Sequence, residues 1–305
     1  MTQNLPSLEE FLAAPSEQVA QVAPASMLYW VGGSRRSAAL AGKATREYAS
    51  WTIKKLIQAV DLIFSHGVQH IFMPVLSSKN FAEDTPGYRE NLWYWLTQVL
   101  AGTKTAAHIQ GQGRRVRFLY EEHIPQLQTA NERLRTAEPL SKDTPALWII
   151  AVPEEGLPLR WMLDKLSKSQ AETPEQAIQA LYGEDIPPAS LCLGFGKLVL
   201  SPYVIPPFLL GVLNCYWSQR PGWDGLTQDL LRTVFYDYAY LRPTWQKDKT
   251  GRAEKAIKHR TAWEKGPVIG LGTRLGPFWY PVLGPDPTIL EAVSLPNQSD
   301  HQNQE

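Results

Sequence analysis

Short apolar segments that alternate with helical patterns constrain the fold of this chain more than any other feature of its sequence. Each segment is long enough for a strand and apolar enough to be buried on both faces. The six segments are 26–31, 68–76, 116–120, 146–152, 191–193 and 208–216. Strands that alternate with helices predict an α/β fold whose central sheet is mostly parallel and is flanked by helices.

Helical spacing occupies most of the sequence between these strands. The longest example covers residues 45–66, where Leu56, Val60 and Phe64 recur every four positions, and Gly67 ends it. The other predicted helices are 7–20, 91–100, 126–135, 158–168, 174–182 and 226–241.

Length and charge limit the domains and partners that the chain can have. The 305 residues are 44% hydrophobic, which is enough to bury one large core. We therefore expect a single domain over residues 1–285 and a polar, disordered tail over residues 286–305. The 30 basic and 30 acidic side chains balance, so we expect no nucleic-acid partner, and any anion site must be local.

Apolar stretches and cysteines bear on location. No uninterrupted apolar stretch is long enough to span a bilayer, and the N-terminus is polar, without the apolar region of a secretion signal. We therefore expect no integral membrane segment and a cytoplasmic protein. Cys192 and Cys215 both lie in apolar runs, and we expect them to be buried free thiols.

A Gly-Gly-Ser-Arg-Arg loop at residues 32–36 carries the strongest sign of chemistry. It follows a predicted strand and precedes helical sequence. Glycines let backbone N–H groups approach an anion, and the adjacent Arg35 and Arg36 supply planar forks that match phosphate oxygens. The pattern suits a diphosphate better than a single carboxylate. It also fits a Gly-Gly turn followed by surface arginines, and the pattern alone does not decide between the two.

Other motifs indicate less. The chain has no P-loop and no Gly-x-Ser-x-Gly elbow, so it is neither a P-loop nucleotide-binding protein nor a typical serine hydrolase. His66 and His70 are interrupted by a helix-breaking glycine, so we expect two solvated loop histidines rather than a metal pair. The basic run of Arg114, Arg115 and Arg117 is typical of a solvated strand edge.

The order of the segments resembles that of the cis-prenyltransferases, the fold family of undecaprenyl diphosphate synthase. A strand, a Gly-x-Arg-Arg loop, a long helix ending in His66-Gly67-Val68 and a second strand follow one another as they do there. The resemblance is closer to a divergent bacterial branch, the tuberculosinol synthase (tuberculosinyl adenosine transferase) and kolavelool synthase type. The segments that carry it are 7–12, 33–36, 193–197, 231–242, 268–272 and 278–279.

This resemblance implies the site and the assembly. Enzymes of the branch act on bicyclic diterpene diphosphates, and family members form homodimers. The substrate's diphosphate would be bound by Gly32, Gly33, Ser34, Arg35 and Arg36 together with Lys197. A surface lysine is an equally good reading of Lys197. The catalytic residues would be Arg35, Arg36 and Tyr48, because Tyr48 falls where the branch has a functional tyrosine. A tyrosine packed in the core of the long helix is an equally good reading of Tyr48.

Two departures from the family pattern change the expectation. The family has Asp before the glycine of its loop, where this chain has Gly32. We therefore expect no metal bound by the chain itself, and Mg²⁺ bound only through the substrate's diphosphate and needed less than in relatives. Chain-elongating members also carry two arginines late in the sequence that bind isopentenyl diphosphate. Gly194 and Leu200 stand there in this chain, so we expect no chain elongation.

The expected function is a diterpene synthase that removes diphosphate from a bicyclic C20 allylic diphosphate and quenches the cation with water. Two alternatives remain at this point. One is transfer to an acceptor such as adenosine, and the other is a non-catalytic subunit that binds a prenyl diphosphate. The substrate tail would lie in an apolar cleft. Candidates for its lining are Leu56, Val60, Leu76, Trp93 and Leu96, but for most of them we expect a plain core role instead.

Overall fold

Six strands form the central sheet of the computed structural model. Their bounds are β1 Ser26–Val31, β2 His70–Leu76, β3 Arg115–Leu119, β4 Ala146–Ala151, β5 Ala189–Phe195 and β6 Leu210–Ser218. They lie in the order β3-β4-β2-β1-β5-β6, and every neighbouring pair is parallel. The predicted α/β fold and all six predicted strands are therefore confirmed.

The structure describes residues 6–43, 45–139, 141, 144–196, 204, 206–218 and 222–241, with short pieces at 250–251, 253–254, 257, 260, 273–275 and 278–280. The short pieces include a two-stranded antiparallel sheet, β7 Thr273–Leu275 with β8 Phe278–Tyr280. The tail expected over 286–305 and the segment 268–272, which carries part of the family resemblance, lie outside the described residues.

Helices connect and flank the strands. They are α1 Leu8–Ala13, α2 Ser16–Ala20, α3 Ser34–Leu40, α4 Tyr48–Ser65, α5 Ser78–Phe81, α6 Tyr88–Tyr94, α7 Thr103–Gly111, α8 Gln128–Thr136, α9 Leu157–Ser167, α10 Pro174–Tyr182 and α11 Gln228–Tyr236. Two π-helical segments, Trp95–Leu100 and Asp237–Leu241, continue α6 and α11. None of the described helices is both long and apolar enough to cross a bilayer.

The predicted helix over 7–20 is wrong in one respect, because it is two helices. Pro15 separates them and precedes the first residue of α2. A residue before proline is driven out of the helical region, and Ala14 is extended accordingly, with ψ 151°. The long helix predicted over 45–66 is confirmed as a short 3₁₀ turn, Thr45–Glu47, followed by α4.

Three expectations about polar side chains are wrong. His66 and His70 are buried rather than solvated, with exposures of 1% and 8%. Arg115 is 2% exposed, although it belongs to the run expected at a solvated edge. Cys192 is buried as expected, but Cys215 is exposed because it lies on the edge strand β6. In the first two cases a partner distant in sequence makes burial of the polar group possible.

Candidate active site

The Gly-Gly-Ser-Arg-Arg loop lies at the carboxyl end of β1, the edge where ligands bind in parallel sheets. Gly32 is held on both sides, because its N–H donates to the Phe195 carbonyl at 2.9 Å and its carbonyl accepts from Gly222 N–H at 2.9 Å. Gly33 has φ +73°, a left-handed conformation that favours glycine, and α3 begins at the next residue. The predicted strand–loop–helix arrangement is therefore present.

A cleft of about 990 Å³ opens beside this loop. Its polar lining residues are Ser34, Arg35, Arg36, Lys43, Tyr48, Thr52, Ser77, Asn80, Tyr88, Asn91 and Tyr94. Its apolar lining includes Trp30, Val31, Met73, Val75, Leu76, Leu92, Trp95, Val204 and Trp223. Cationic groups therefore share one cavity with an apolar and aromatic wall, which is what an amphiphilic diphosphate requires.

Arg35 lies at the mouth of the cleft in an ion pair with Glu83. Its two terminal nitrogens each donate to one Glu83 carboxylate oxygen at 2.9 Å, and Thr85 donates to the same carboxylate at 2.9 Å. The guanidinium also lies over the Tyr88 ring, 4.8 Å from its centroid. The pair uses two of the five N–H groups of the guanidinium, so three donors remain for a ligand.

Arg36 differs from its neighbour. It lines the cleft and is exposed, and no side chain in the described part of the chain pairs with its guanidinium. The first-turn N–H groups of α3 lie at the same rim, and such groups have no acceptor within their own helix. Arg36 and this turn are therefore the least satisfied donors at the rim.

Tyr48 is the first residue of α4, and its hydroxyl lies 2.7 Å from the Ser34 hydroxyl. Burial raises the pKa of Tyr48, while the Ser34 hydrogen bond and the nearby Arg35 oppose this rise. The phenol therefore stays neutral near pH 7, with one hydrogen bond to the loop. Tyr48 is half-buried and lines the cleft, and its functional role there stays a prediction.

Asn80 is a cleft residue that the sequence reasoning missed. Its side-chain oxygen accepts from Ser77 N–H at 2.9 Å and from the Ser77 hydroxyl at 3.2 Å, which leaves its NH₂ group as a donor. The available signal was its place just beyond the carboxyl end of β2, next to β1. Trp223 also lines the cleft, and its buried indole N–H has no partner among the described residues.

Carboxylates are missing from the described lining of the cleft, which contains no Asp or Glu. The described residues also contain no group of three or more His, Cys, Asp or Glu side chains that could hold a metal ion. Mg²⁺ prefers carboxylate oxygens, so these residues do not fit a metal held by the chain itself. Lys197 and Leu200 lie outside the described residues.

The candidate tail-lining residues divide between the cleft and the core, and most of them are core as expected. Leu76 lines the cleft, whereas Leu56 and Val60 line a separate cavity of about 20 Å³. Trp93 packs against Phe81, with ring centroids 4.9 Å apart, and Leu96 is fully buried. Helical spacing identified residues that face the sheet but not where the groove closes.

A parallel sheet with this loop after its first strand defines a cis-prenyltransferase-like fold. The lavandulyl diphosphate synthase of Lavandula x intermedia, solved in complex with dimethylallyl diphosphate, has this architecture and aligns with a TM-score of 0.56. The alignment covers 71% of this chain and 96% of that chain at 15% identity. At that identity the likeness shows the fold alone.

Sequence comparison gives the family. The (+)-kolavelool synthase of Herpetosiphon aurantiacus is 43% identical over 279 residues, spanning 90% of this chain and 96% of that enzyme. The tuberculosinyl adenosine transferase of Mycobacterium tuberculosis is 22% identical over 308 residues, spanning 91% of this chain and 99% of that enzyme. No protein-family model matches the chain. The chain belongs to the terpene synthase family that includes the kolavelool synthase, as its sequence pattern predicted.

Proposed function

We propose that the chain is a diterpene synthase that removes diphosphate from a bicyclic C20 allylic diphosphate and adds water to give a terpene alcohol. The main observation behind this proposal is the cleft of about 990 Å³. Its rim is formed by Arg35, Arg36 and the start of α3, and its wall is largely apolar. The relationship to the kolavelool synthase supports this reaction over the alternatives, since the transferase relative is distant.

The rim residues act on the leaving group. When the allylic C–O bond breaks, its electron pair leaves with the diphosphate, which gains negative charge. Arg35, Arg36 and the Asn80 amide would donate to its oxygens, and these hydrogen bonds strengthen as that charge develops. The donors therefore stabilise the transition state more than the bound substrate.

The cleft wall acts on the cation that remains. Tyr88 and Tyr94 line the cleft, and aromatic faces attract a cation by their quadrupole. Tyr48, fixed by Ser34, would orient one water molecule toward the cationic carbon. The oxygen of that water forms the new C–O bond, and the departed diphosphate takes its proton, because no described lining residue is a carboxylate.

Metal dependence follows from the same lining. The described cleft residues have no carboxylate to hold Mg²⁺, so the ion would enter only on the substrate's diphosphate. A Cβ at Gly32 would lie 2.7 Å from the Phe195 carbonyl oxygen, which is backbone and cannot move aside easily. The matched test is Gly32→Asp with and without Mg²⁺: we expect weaker folding and no gain in metal-stimulated turnover. A gain would show that a carboxylate can be accommodated there.

Chain elongation is excluded in this proposal. A side chain at Gly194 would overlap the ring of Trp217, which is buried and donates to the Gly196 carbonyl at 2.9 Å. A cation to bind isopentenyl diphosphate therefore has no room at that position. Incubation with an allylic primer and isopentenyl diphosphate should give no longer product, and a longer product would contradict the proposal.

The decisive experiment is incubation of the purified chain with linear and bicyclic C20 diphosphates, followed by phosphate release and product mass spectrometry. A terpene alcohol from a bicyclic substrate supports the proposal. Product that forms only when adenosine is added indicates a transferase, and no release at all indicates a binding subunit. We also propose a cytoplasmic homodimer, and a monomer by light scattering would contradict the dimer.

A further inference from the structure

Thr52 and Trp95 form a hydrogen-bonded pair within the cleft lining. Both residues line the cleft, and the Trp95 indole N–H donates to the Thr52 hydroxyl oxygen at 3.2 Å. Thr52 is 1% exposed and donates its own proton back to the Tyr48 carbonyl at 2.9 Å. The threonine is therefore fixed to α4, and it fixes the indole in turn.

A second cavity lies further along α4 than this pair. It measures about 20 Å³, and its lining includes Leu56, Val60 and Leu100. Leu56 lies one helical turn beyond Thr52 on α4. Leu100 ends the π-helical segment that Trp95 begins. Both cavities therefore border α4 and the π-helical segment, and α7 also lines the second cavity.

The sheet side of the two cavities agrees with this arrangement. Met73 lines the cleft, while Val116, Leu147 and Ile149 line the second cavity. Register pairs Met73 with Ile149 and Val116 with Leu147, and residues two apart on one strand share a face. All four side chains therefore point to one face of the sheet, and both cavities lie against that face.

The backbone changes conformation at Trp95. The α-helix α6 gives way to a π-helical segment at Trp95, and single π-turns within helices are frequent at functional sites. A wider turn rotates the following side chains relative to a continuous α-helix. Here it lets Trp95 face the cleft while Leu96 and Leu100 are buried.

We propose that Trp95, held by Thr52, is the floor of the substrate cleft and sets the length of hydrocarbon that the enzyme accepts. The inference rests on the proposed function. A compact bicyclic C20 group ends above the indole, whereas a longer linear chain would need the space that the indole occupies. Truncating Trp95 joins the cleft to the cavity beyond it, so the variant should gain longer substrates.

The experiment compares Trp95→Ala with wild type on allylic diphosphates of C20, C25 and C30, measured as diphosphate release. We expect the C25 to C20 ratio of kcat/KM to rise about 10-fold or more, the size of effect that pocket length exerts on apolar substrates. Trp93→Ala is the matched control. It removes the same side chain from the same helix, but Trp93 packs on Phe81 outside the cleft.

An unchanged C25 to C20 ratio of kcat/KM in folded Trp95→Ala would overturn the proposal that Trp95 is the floor. An equal shift of this ratio in Trp93→Ala would overturn it as well. Trp95→Phe and Thr52→Val cover a failure of the alanine variant to fold. The first shortens the floor and the second removes its hydrogen bond while keeping its volume. Both should shift the ratio in the same direction by less, and no shift in either overturns the proposal.

Measurements of ligand binding distinguish a failure of the Trp95 proposal from a failure of the proposed reaction. If wild type releases no diphosphate from any C20 substrate, the proposed function fails. Calorimetry with unreactive thiodiphosphate analogues of C20 and C25 then still tests the floor. Tighter C25 binding by Trp95→Ala, with C20 binding little changed, supports it, and parallel changes for both lengths overturn it.

Discussion

Two groups of arginines look alike in the sequence and differ in the structure. At β3, Arg114 pairs with Asp61, Arg115 with Glu184, and Arg117 with Glu138. At the cleft, Arg35 pairs with Glu83 near the surface, and Arg36 pairs with no described side chain. An arginine whose carboxylate the chain supplies holds the fold together. One without such a partner is available to an anion from outside.

Burial separates the two groups further. Arg115 is 2% exposed and donates to both oxygens of Glu184 and twice to the Thr144 carbonyl. The Arg35 side chain is 59% exposed, so solvent screens its pair with Glu83. The first arrangement cannot release its arginine to a ligand without leaving a buried charge, and the second can.

Arg115→Ala should have the largest effect, and it should act on stability. Removing Arg115 leaves Glu184 with only the longer contact to Arg117 at 3.5 Å, and loss of one partner of a buried pair typically costs about 3–5 kcal/mol. Chemical denaturation should show this loss, while kcat per folded molecule stays near wild type. A loss of turnover without loss of stability would place β3 in the active site and break the comparison.

Arg36→Ala should have the opposite profile. Losing one donor to a departing diphosphate typically lowers turnover on the order of 100-fold. Arg36→Lys should also be impaired, since a point charge does not reproduce the planar fork. Melting temperature should hardly change, because the side chain is exposed and unpaired among the described residues. The control is Arg89→Ala, which changes an exposed arginine outside the cleft lining. Near-normal turnover in Arg36→Ala would contradict the proposed diphosphate site.

Glu83→Gln should sharpen the comparison by removing the charge that pairs with Arg35. The amide oxygen still accepts one hydrogen bond, so the change removes a negative charge beside the proposed diphosphate site and releases one guanidinium donor. An exposed pair is worth at most about 1 kcal/mol, so we expect KM to fall roughly threefold, with kcat little changed. Asp84→Asn is the neighbouring control. A raised KM would mean instead that Glu83 orients Arg35 for the ligand.

The sequence predicts what local pattern determines and misses what distant partners determine. Strands β1 to β6 are correct because short apolar runs are visible within a few residues. The loop and its place at the sheet edge follow from the same reasoning. Burial of Arg115 depends on Glu184, 69 residues away, and no local pattern announces that pair. Asn80 was missed because the same edge argument was applied to β1 and not to β2.

Arg232 provides a third case, because it is buried without a carboxylate partner among the contacts seen. It is 4% exposed and donates to His66 Nε2 at 3.0 Å and to the Leu12 and Ala14 carbonyls at 2.6 and 2.7 Å. His66 Nδ1 lies 2.8 Å from the Leu62 carbonyl, which can only accept, so Nδ1 carries the proton. The imidazole must therefore be neutral to accept from Arg232.

Acid should therefore break the hydrogen bond between Arg232 and His66. We expect this loss of stability to be the smallest of the four effects predicted in this Discussion. Burial lowers the pKa of His66 below its ordinary value, and the Arg232 charge lowers it further. The unfolded chain then binds the proton more readily, so stability is full above about pH 6.5 and is lost as pH falls through the lowered folded pKa. Burial lowers the pKa of His70 as well, which adds to the same slope. In His66→Gln, the amide oxygen still accepts from Arg232 but does not titrate. Its melting temperature should fall less steeply than that of wild type between pH 7 and about pH 5, and equal slopes would show that His66 does not control the acid sensitivity.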